Sequence, residues 1–297
     1  MEFRAPAKIN LTLAVKGRRD DGFHEIESVV CPIALCDTLE IALHDRAGLE
    51  FACDDPSLPA DDTNLAVRAA RLFCERHGLA PRMRIELKKR IPHGAGLGGG
   101  SSDAATTLLA LDRLFETALA LDELSAIAAE LGSDVPLFLH RSAARVSGRG
   151  EKVEPIDFPH ALPLLLVKPP FGVPTPWAYR RWKDSREIPG IDYARREFAW
   201  GALQNDLERP VFEKYLLLAL LKRWLAAQPE VAGALMSGSG ATVFAVLHDR
   251  GAGDGLRTRL EREFGGKFWI CLAETLPGNS GDAAQARGGV IESGSAD

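Results

Sequence analysis

An α+β fold in two domains is predicted for this chain by its length and by two changes of texture along it. Its 297 residues exceed one typical domain of about 150 and suffice for two. In the first half, β-like runs precede helical ones, and a glycine-rich stretch joins a strand to a helix. Beyond Pro155 an apolar strand, a proline-rich loop and long helical stretches follow, which places the division near residue 155: one domain over 1–155, a second over 156–276, and a frayed Gly/Ser/Ala/Asp-rich tail over 277–297. With 46% hydrophobic and 26% charged residues the balance is that of a folded globular protein. Lys plus Arg number 36 against 41 Asp plus Glu, a formal charge of −5, so nucleic acid is not an expected partner. The 5 cysteines include no CxxC pairing, which predicts neither a disulfide framework nor a zinc site and favours a reducing cytoplasm. No signal peptide and no apolar run long enough for a bilayer is found, so no membrane role is expected.

Taken in order, Ile9 to Val15 and Ile26 to Val30 read as two strands joined by a turn over Gly17 to Gly22. Thr38–Leu43 and Leu49–Cys53 are further β-like runs. Asp61-Asp62-Thr63-Asn64 supplies N-cap candidates for an apolar-periodic helix that ends at His77-Gly78. Met83, Ile85 and Leu87 alternate with Arg84, Glu86 and Lys88, the pattern of a half-buried strand. Asp103 to Phe115 reads as a buried helix, and Asp122 caps a second one that stops at Gly132. In the second half the strand is Leu162–Val167, the loop runs from Lys168 to Pro176, and helical stretches cover Val211–Ala227 and Leu256–Phe264. There is no internal repeat.

Chemistry concentrates in Pro92-His93-Gly94-Ala95-Gly96-Leu97-Gly98-Gly99-Gly100-Ser101-Ser102, which carries five glycines. Such a loop lets the backbone curl around a ligand, and where it opens a helix its free N–H groups add to the helix dipole to make a phosphate site. The Ser101 and Ser102 hydroxyls are available for phosphate or metal contacts. Gly94-x-Gly96-x-x-Gly99 has the spacing of a dinucleotide fingerprint, but the preceding strand carries Lys88-Lys89-Arg90 and no acid follows at the end of a second strand. A Walker loop is excluded because no Lys precedes Ser101. The phosphates therefore need a cation from elsewhere, and magnesium is expected.

Three segments in order resemble the kinases that include galactokinase, homoserine kinase, mevalonate kinase and phosphomevalonate kinase. They are Ala5 to Leu11, Pro92 to Ser102, and Met236 to Phe244. Asp21-Gly22-Phe23-His24, Gly132-Ser133-Asp134-Val135-Pro136, Val173-Pro174-Thr175-Pro176 and Asn205-Asp206-Leu207-Glu208 extend the likeness from residue 5 to about 245. The resemblance implies a two-domain small-molecule kinase with its site in the inter-domain cleft, ATP and Mg2+ as cofactors, and an alcohol substrate. Within the family these stretches resemble the members whose substrate is a cytidine-diphosphate-linked methylerythritol.

The resemblance further implies that Asp134 acts on the substrate hydroxyl with Lys8 beside it. That division of labour is chemically sound, since phosphoryl transfer depends on positioning and charge neutralisation, and one carboxylate suffices to accept the hydroxyl proton. Asn10, two residues from Lys8, shares its strand face. Cytosine is implied between the rings of Phe23 and Tyr179, with His24 reading the base edge. Phe23 replaces the family's commoner tyrosine, which removes a hydroxyl but keeps the stacking face. Thr175 is a candidate for a ribose or diphosphate contact, whereas Trp177 and Trp182 are expected to be packing residues. Gly238, Ser239 and Gly240 offer a second set of backbone donors for the substrate, and Asn64 and Leu65 are candidate walls of the adenine pocket. No sequence feature marks the metal ligands or an oligomeric state.

Overall fold

A computed structural model describes residues 1–278. The expected tail over 277–297 lies outside these residues except for Pro277 and Gly278, and Gly278 is tied down: it exchanges two backbone hydrogen bonds, 3.0 and 3.1 Å, with Phe158.

The chain opens with strands β1 (Glu2–Arg18) and β2 (His24–Leu43), each far longer than the runs read from the sequence. They pair antiparallel with register shifts at Pro6/Ala7, Asn10/Thr12 and Val15/Gly17. Such bulges bend a strand and re-aim its side chains. Strand β3 (Gly48–Cys53) leads to helix α1 (Leu65–Arg76), whose first turn is capped by Asn64: its Oδ1 accepts the Ala66 N–H at 2.9 Å. Strand β4 (Arg82–Lys88) buries Met83, Ile85 and Leu87, the alternation that the sequence shows.

Helix α2 (Gly99–Leu114) begins four residues before Asp103, because the left-handed Gly98 (φ 72°) turns the chain directly into helix. Helix α3 (Leu121–Leu131) likewise starts before the expected cap: Glu123 accepts the Ala120 N–H at 3.0 Å and Asp122 lies in the first turn, where its charge meets the helix dipole. Then come α4 (Val135–Leu139), β5 (Ala144–Gly148) and β6 (Lys152–Pro155).

Strand β7 (Pro163–Lys168), helix α5 (Thr175–Arg181), and strands β8 (Arg196–Phe198) and β9 (Gly201–Asn205) follow. The stretch expected as one helix over Val211–Ala227 is two, α6 (Glu208–Lys214) and α7 (Leu216–Ala226), broken at Tyr215 by its non-helical φ −111°, ψ 68°. Strands β10 (Val231–Met236) and β11 (Val243–Leu247), helix α8 (Gly253–Phe264) and β12 (Trp269–Glu274) complete the described chain.

Two sheets result. The larger has eight strands in the path β3-β4-β2-β1-β9-β8, with β5 and β6 joined through the first half of β2; the smaller runs β10-β11-β7-β12. Helices α1 to α4 cover one face of the larger sheet around Phe73, Leu108, Leu111 and Leu124. A second core packs Leu165, Phe212, Leu221 and Leu256 between the smaller sheet and the later helices. A third core lies where the sheets meet: Ala7, Ile9 and Leu11 of β1 pack against Leu164, Leu166 and Phe244. Because side chains alternate along a strand, sending these odd positions inward turns Lys8 and Asn10 to the opposite face. The architecture is the expected two-part α+β fold, with β9 crossing over to pair in parallel with β1 through Thr12 and Leu13.

Candidate active site

A cleft of about 860 Å³ opens above that face of β1. The loop from Pro92 to Ser101 forms one wall, and Lys8, Asn10, Asp134, Gly238 and Ser239 the floor; Phe23, His24, Thr175 and Tyr179 lie along the other end. Asn64 and Leu65 border the glycine loop.

The loop's conformation depends on glycine. Gly94, Gly96 and Gly98 have φ of 62°, 74° and 72°, and a methyl on Gly96 would lie 2.2 Å from the Ser237 carbonyl. Two loops thus interlock: Ser237 Oγ donates to the Gly96 carbonyl at 3.0 Å, and the Thr242 N–H to that of Ala95 at 3.1 Å. The Lys8 N–H donates to the Leu97 carbonyl at 2.9 Å, which fixes the glycine loop to β1. No side chain caps α2, so its first amides remain available to an anion, with the helix dipole behind them.

Lys8 lies almost wholly buried, with Nζ 3.9 Å from Asp134 Oδ2 and donating to Asn10 Oδ1 at 2.7 Å. Asn10 Nδ2 in turn donates to Ser28 Oγ at 2.8 Å, and Ser28 to the Thr12 carbonyl. This chain fixes the amide's orientation and hence the lysine's. Burial pushes the Lys8 ammonium below its usual range, while Asp134 pulls the other way. Asp134 does not cap α4; its carboxylate is half exposed to the cleft. A methyl on Gly238 would fall 3.3 Å from Lys8 Nζ and 3.2 Å from Asn10 Oδ1, so the second glycine turn closes on the same pair. Asn205 holds that turn, its Nδ2 donating to the Met236 and Gly238 carbonyls at 2.7 and 2.8 Å.

At the aromatic end, the His24 ring stacks on Tyr179, with centroids 5.4 Å apart and planes at 29°, and Trp182 meets His24 edge-on. Burial, with the positive Arg18 nearby, lowers the His24 pKa and favours neutral imidazole, which keeps one donor and one acceptor. Burial and the charge of Asp134 push the Tyr179 phenol up. Phe23 is 48% exposed, an unusual site for a phenylalanine, and one face is met by the Arg149 guanidinium at 5.1 Å. Thr175 Oγ1 and Ser239 Oγ are hydrogen-bonded at 2.7 Å. Trp177 packs edge-on against Tyr215, as expected of a packing residue.

Not every expected residue reaches the cleft. Ser102 is fully buried on the inner side of α2, and Gly240 packs against Met236 and the Gly96 backbone, so neither is part of the wall. Asn64 uses its side chain to cap α1 and to hold the Pro59 carbonyl, which accounts for one hydrogen bond at each amide atom. Three further residues border the cleft that were not among the expected ones: Lys89, Asp103 and Arg149. Lys89 turns inward from the basic run to pair with Asp37 and with Asp103 Oδ2 at 2.7 Å. Asp103 Oδ1 is buried without a hydrogen-bond partner, and burial pushes this carboxyl up against the pull of Lys89. For Asp103 the available signal was an acid placed i+5 from Gly98, on the buried side of the helix that the glycine loop opens.

The GHMP kinases N terminal domain matches residues 64–142, the helices and glycine loop just described, and the GHMP kinases C terminal domain matches 194–266. This chain is a member of the GHMP kinase family. It is 43% identical over 278 residues to the 4-diphosphocytidyl-2-C-methyl-D-erythritol kinase of Methylacidiphilum infernorum, covering 92% of this chain and 96% of that one. Identity to the enzyme of the same name from Bacillus pumilus is 40%, over 82% of this chain and 87% of the other. A crystal structure of 4-(cytidine 5'-diphospho)-2C-methyl-D-erythritol kinase superposes with a TM-score of 0.74 at 37% identity, covering 94% and 100% of the two chains. Homoserine kinase from Cytophaga hutchinsonii, at 17% identity and a TM-score of 0.68, shares the fold over 94% and 96%. Among the described residues no helix is long and apolar enough to cross a membrane.

Proposed function

We propose that this GHMP kinase transfers the γ-phosphoryl group of ATP to the 2-hydroxyl of 4-diphosphocytidyl-2-C-methyl-D-erythritol, a step of isoprenoid precursor synthesis. The observation that carries the reading is the Lys8–Asp134 pair, 3.9 Å apart, in the same cleft as an uncapped helix N-terminus. ATP lays its phosphates on the amides at Gly99 to Ser101, with adenine toward Leu65. The substrate hydroxyl donates to Asp134. As its oxygen bonds to the γ-phosphorus and the bond to ADP breaks, the proton passes to that carboxylate. Lys8 stabilises the negative charge growing on the attacking oxygen, and Asn10 holds Lys8 in place. The substrate's cytosine lies against Phe23 and Tyr179, where neutral His24 meets its edge, and Gly238 and Ser239 face the erythritol and diphosphate.

Magnesium fits the nucleotide end modestly. Among the described residues no group of three His, Cys, Asp or Glu gathers as a metal site, but magnesium keeps most of its waters and takes one or two protein oxygens beside the phosphates. Ser101 and the unpartnered oxygen of Asp103 meet that need. When bound, the ion neutralises charge on the β- and γ-phosphates. All the cysteines are free thiols, which supports a reducing, cytoplasmic setting.

The test is to incubate the protein with ATP and Mg2+ against the cytidylated methylerythritol, mevalonate and homoserine, and to locate new phosphate by phosphorus NMR. Phosphorylation of the cytidylated alcohol alone, at its 2-oxygen, is expected. Transfer to mevalonate or homoserine in its place would overturn the substrate assignment, and ATP binding without transfer to any of them would overturn the kinase reaction.

A further inference from the structure

The turn between β5 and β6 places one arginine in the cleft. Arg149 stands between Gly148 and Gly150, is half buried, and forms no ion pair among the described residues. A half-buried guanidinium with no carboxylate in ion-pair contact is costly, its charge being felt at longer range by the exposed Asp21, and its five N–H donors form a fork matched to phosphate oxygens. Among the described residues only one side-chain donor is used, Nη2 giving to the Ala129 carbonyl at 3.2 Å. The turn is braced rather than loose: Glu151 Oε2 accepts the Arg149 N–H at 2.7 Å, and Glu25 Oε1 accepts the Gly148 N–H at 3.1 Å.

Its location is informative. On one side the guanidinium lies 5.1 Å from the centre of the Phe23 ring. On the other, Gly150 abuts the reacting end, since a methyl there would be 3.4 Å from Asp134 Oδ1. A substrate with its base on Phe23 and its hydroxyl on Asp134 must span this gap, and the part that spans it is the diphosphate. We infer that Arg149 binds that diphosphate and sets the preference for a nucleoside-diphosphate-linked alcohol over a bare one, an inference that rests on the substrate reading above. Arg18 and Arg180 also border the cleft, but both are exposed and pay no comparable burial cost while unpaired.

The experiment compares cytidine and CDP binding to the unaltered protein, Arg149→Met and Arg149→Lys by titration calorimetry, with KM and kcat for the cytidylated substrate. Loss of charge-assisted hydrogen bonds predicts that Arg149→Met weakens CDP by about tenfold or more. Cytidine should change little, KM should rise while kcat holds, and Arg149→Lys should recover part of the loss. Equal weakening of cytidine and CDP would show the guanidinium serving only the Phe23 ring and overturn the inference, as would CDP affinity unchanged in Arg149→Met. If the unaltered protein binds neither cytidine nor CDP, the cytidylated-substrate reading itself fails, a result distinct from both.

Discussion

Lys8 is a buried cation whose charge is opposed by burial and favoured by Asp134, with burial the larger effect. A group that must be protonated to act loses its function as pH rises through its pKa. With that pKa lowered, the alkaline limb of the kcat profile should fall below 10.5, the ordinary lysine value. A profile flat beyond that value would argue against an acting ammonium. The aromatic end yields a second expectation: Tyr179→Ala should weaken the cytidylated substrate by about 1–3 kcal/mol, the scale of base stacking on an aromatic ring, and leave kcat little changed. An unaltered KM would remove Tyr179 from the base site. At this scale, legibility followed local spacing. That Lys8 and Asn10 share a face follows from strand alternation, whereas Arg149 looks in sequence like any surface charge on a glycine turn. Its setting depends on Phe23 and Ala129, which reach it only through the tertiary fold.

Among the elements, the glycine loop was the most legible because its conformation is written in residue type: positive φ at Gly94, Gly96 and Gly98 admits little else. What could not be read is that it interlocks with the Ser237–Thr242 turn. This contact separates two glycine substitutions. Gly78 also has positive φ (62°) but faces open space, so Gly78→Ala should cost about 1–2 kcal/mol from backbone strain alone. Gly96→Ala adds a methyl 2.2 Å from the Ser237 carbonyl and should cost clearly more in thermal stability while also weakening ATP. Equal melting temperatures for the two variants would refute the interlock. Helix α1 was readable from its Asn64 cap and Gly78 exit. Strand β2 was not, because Pro32 and Asp37 interrupt a run that is nonetheless continuous over His24–Leu43. Strands β5 and β6 escaped notice because Arg145, Lys152 and Glu154 are exposed and leave only a thin apolar alternation.

Across the whole molecule, residues far apart in the chain meet at one point: Lys8 from β1, Asp134 from the start of α4, and Gly238 from the turn after β10. The parallel pairing of β9 with β1 and the hold of Asn205 on the Gly238 turn bring the second half of the chain to that point. These are long-range contacts that no local pattern encodes, although the change of texture near residue 155 was visible. Convergence of these residues on a single cleft is therefore a property of the assembled fold. Asp134→Asn tests it most directly, because the amide keeps the shape and removes only the proton acceptor. Turnover of the cytidylated alcohol should fall by about 10²–10⁴-fold, with the dissociation constant for ATP within a factor of about three, since the phosphate cradle is untouched. Near-normal turnover in that variant, with ATP still bound, would contradict the assignment of Asp134 as the group that accepts the proton.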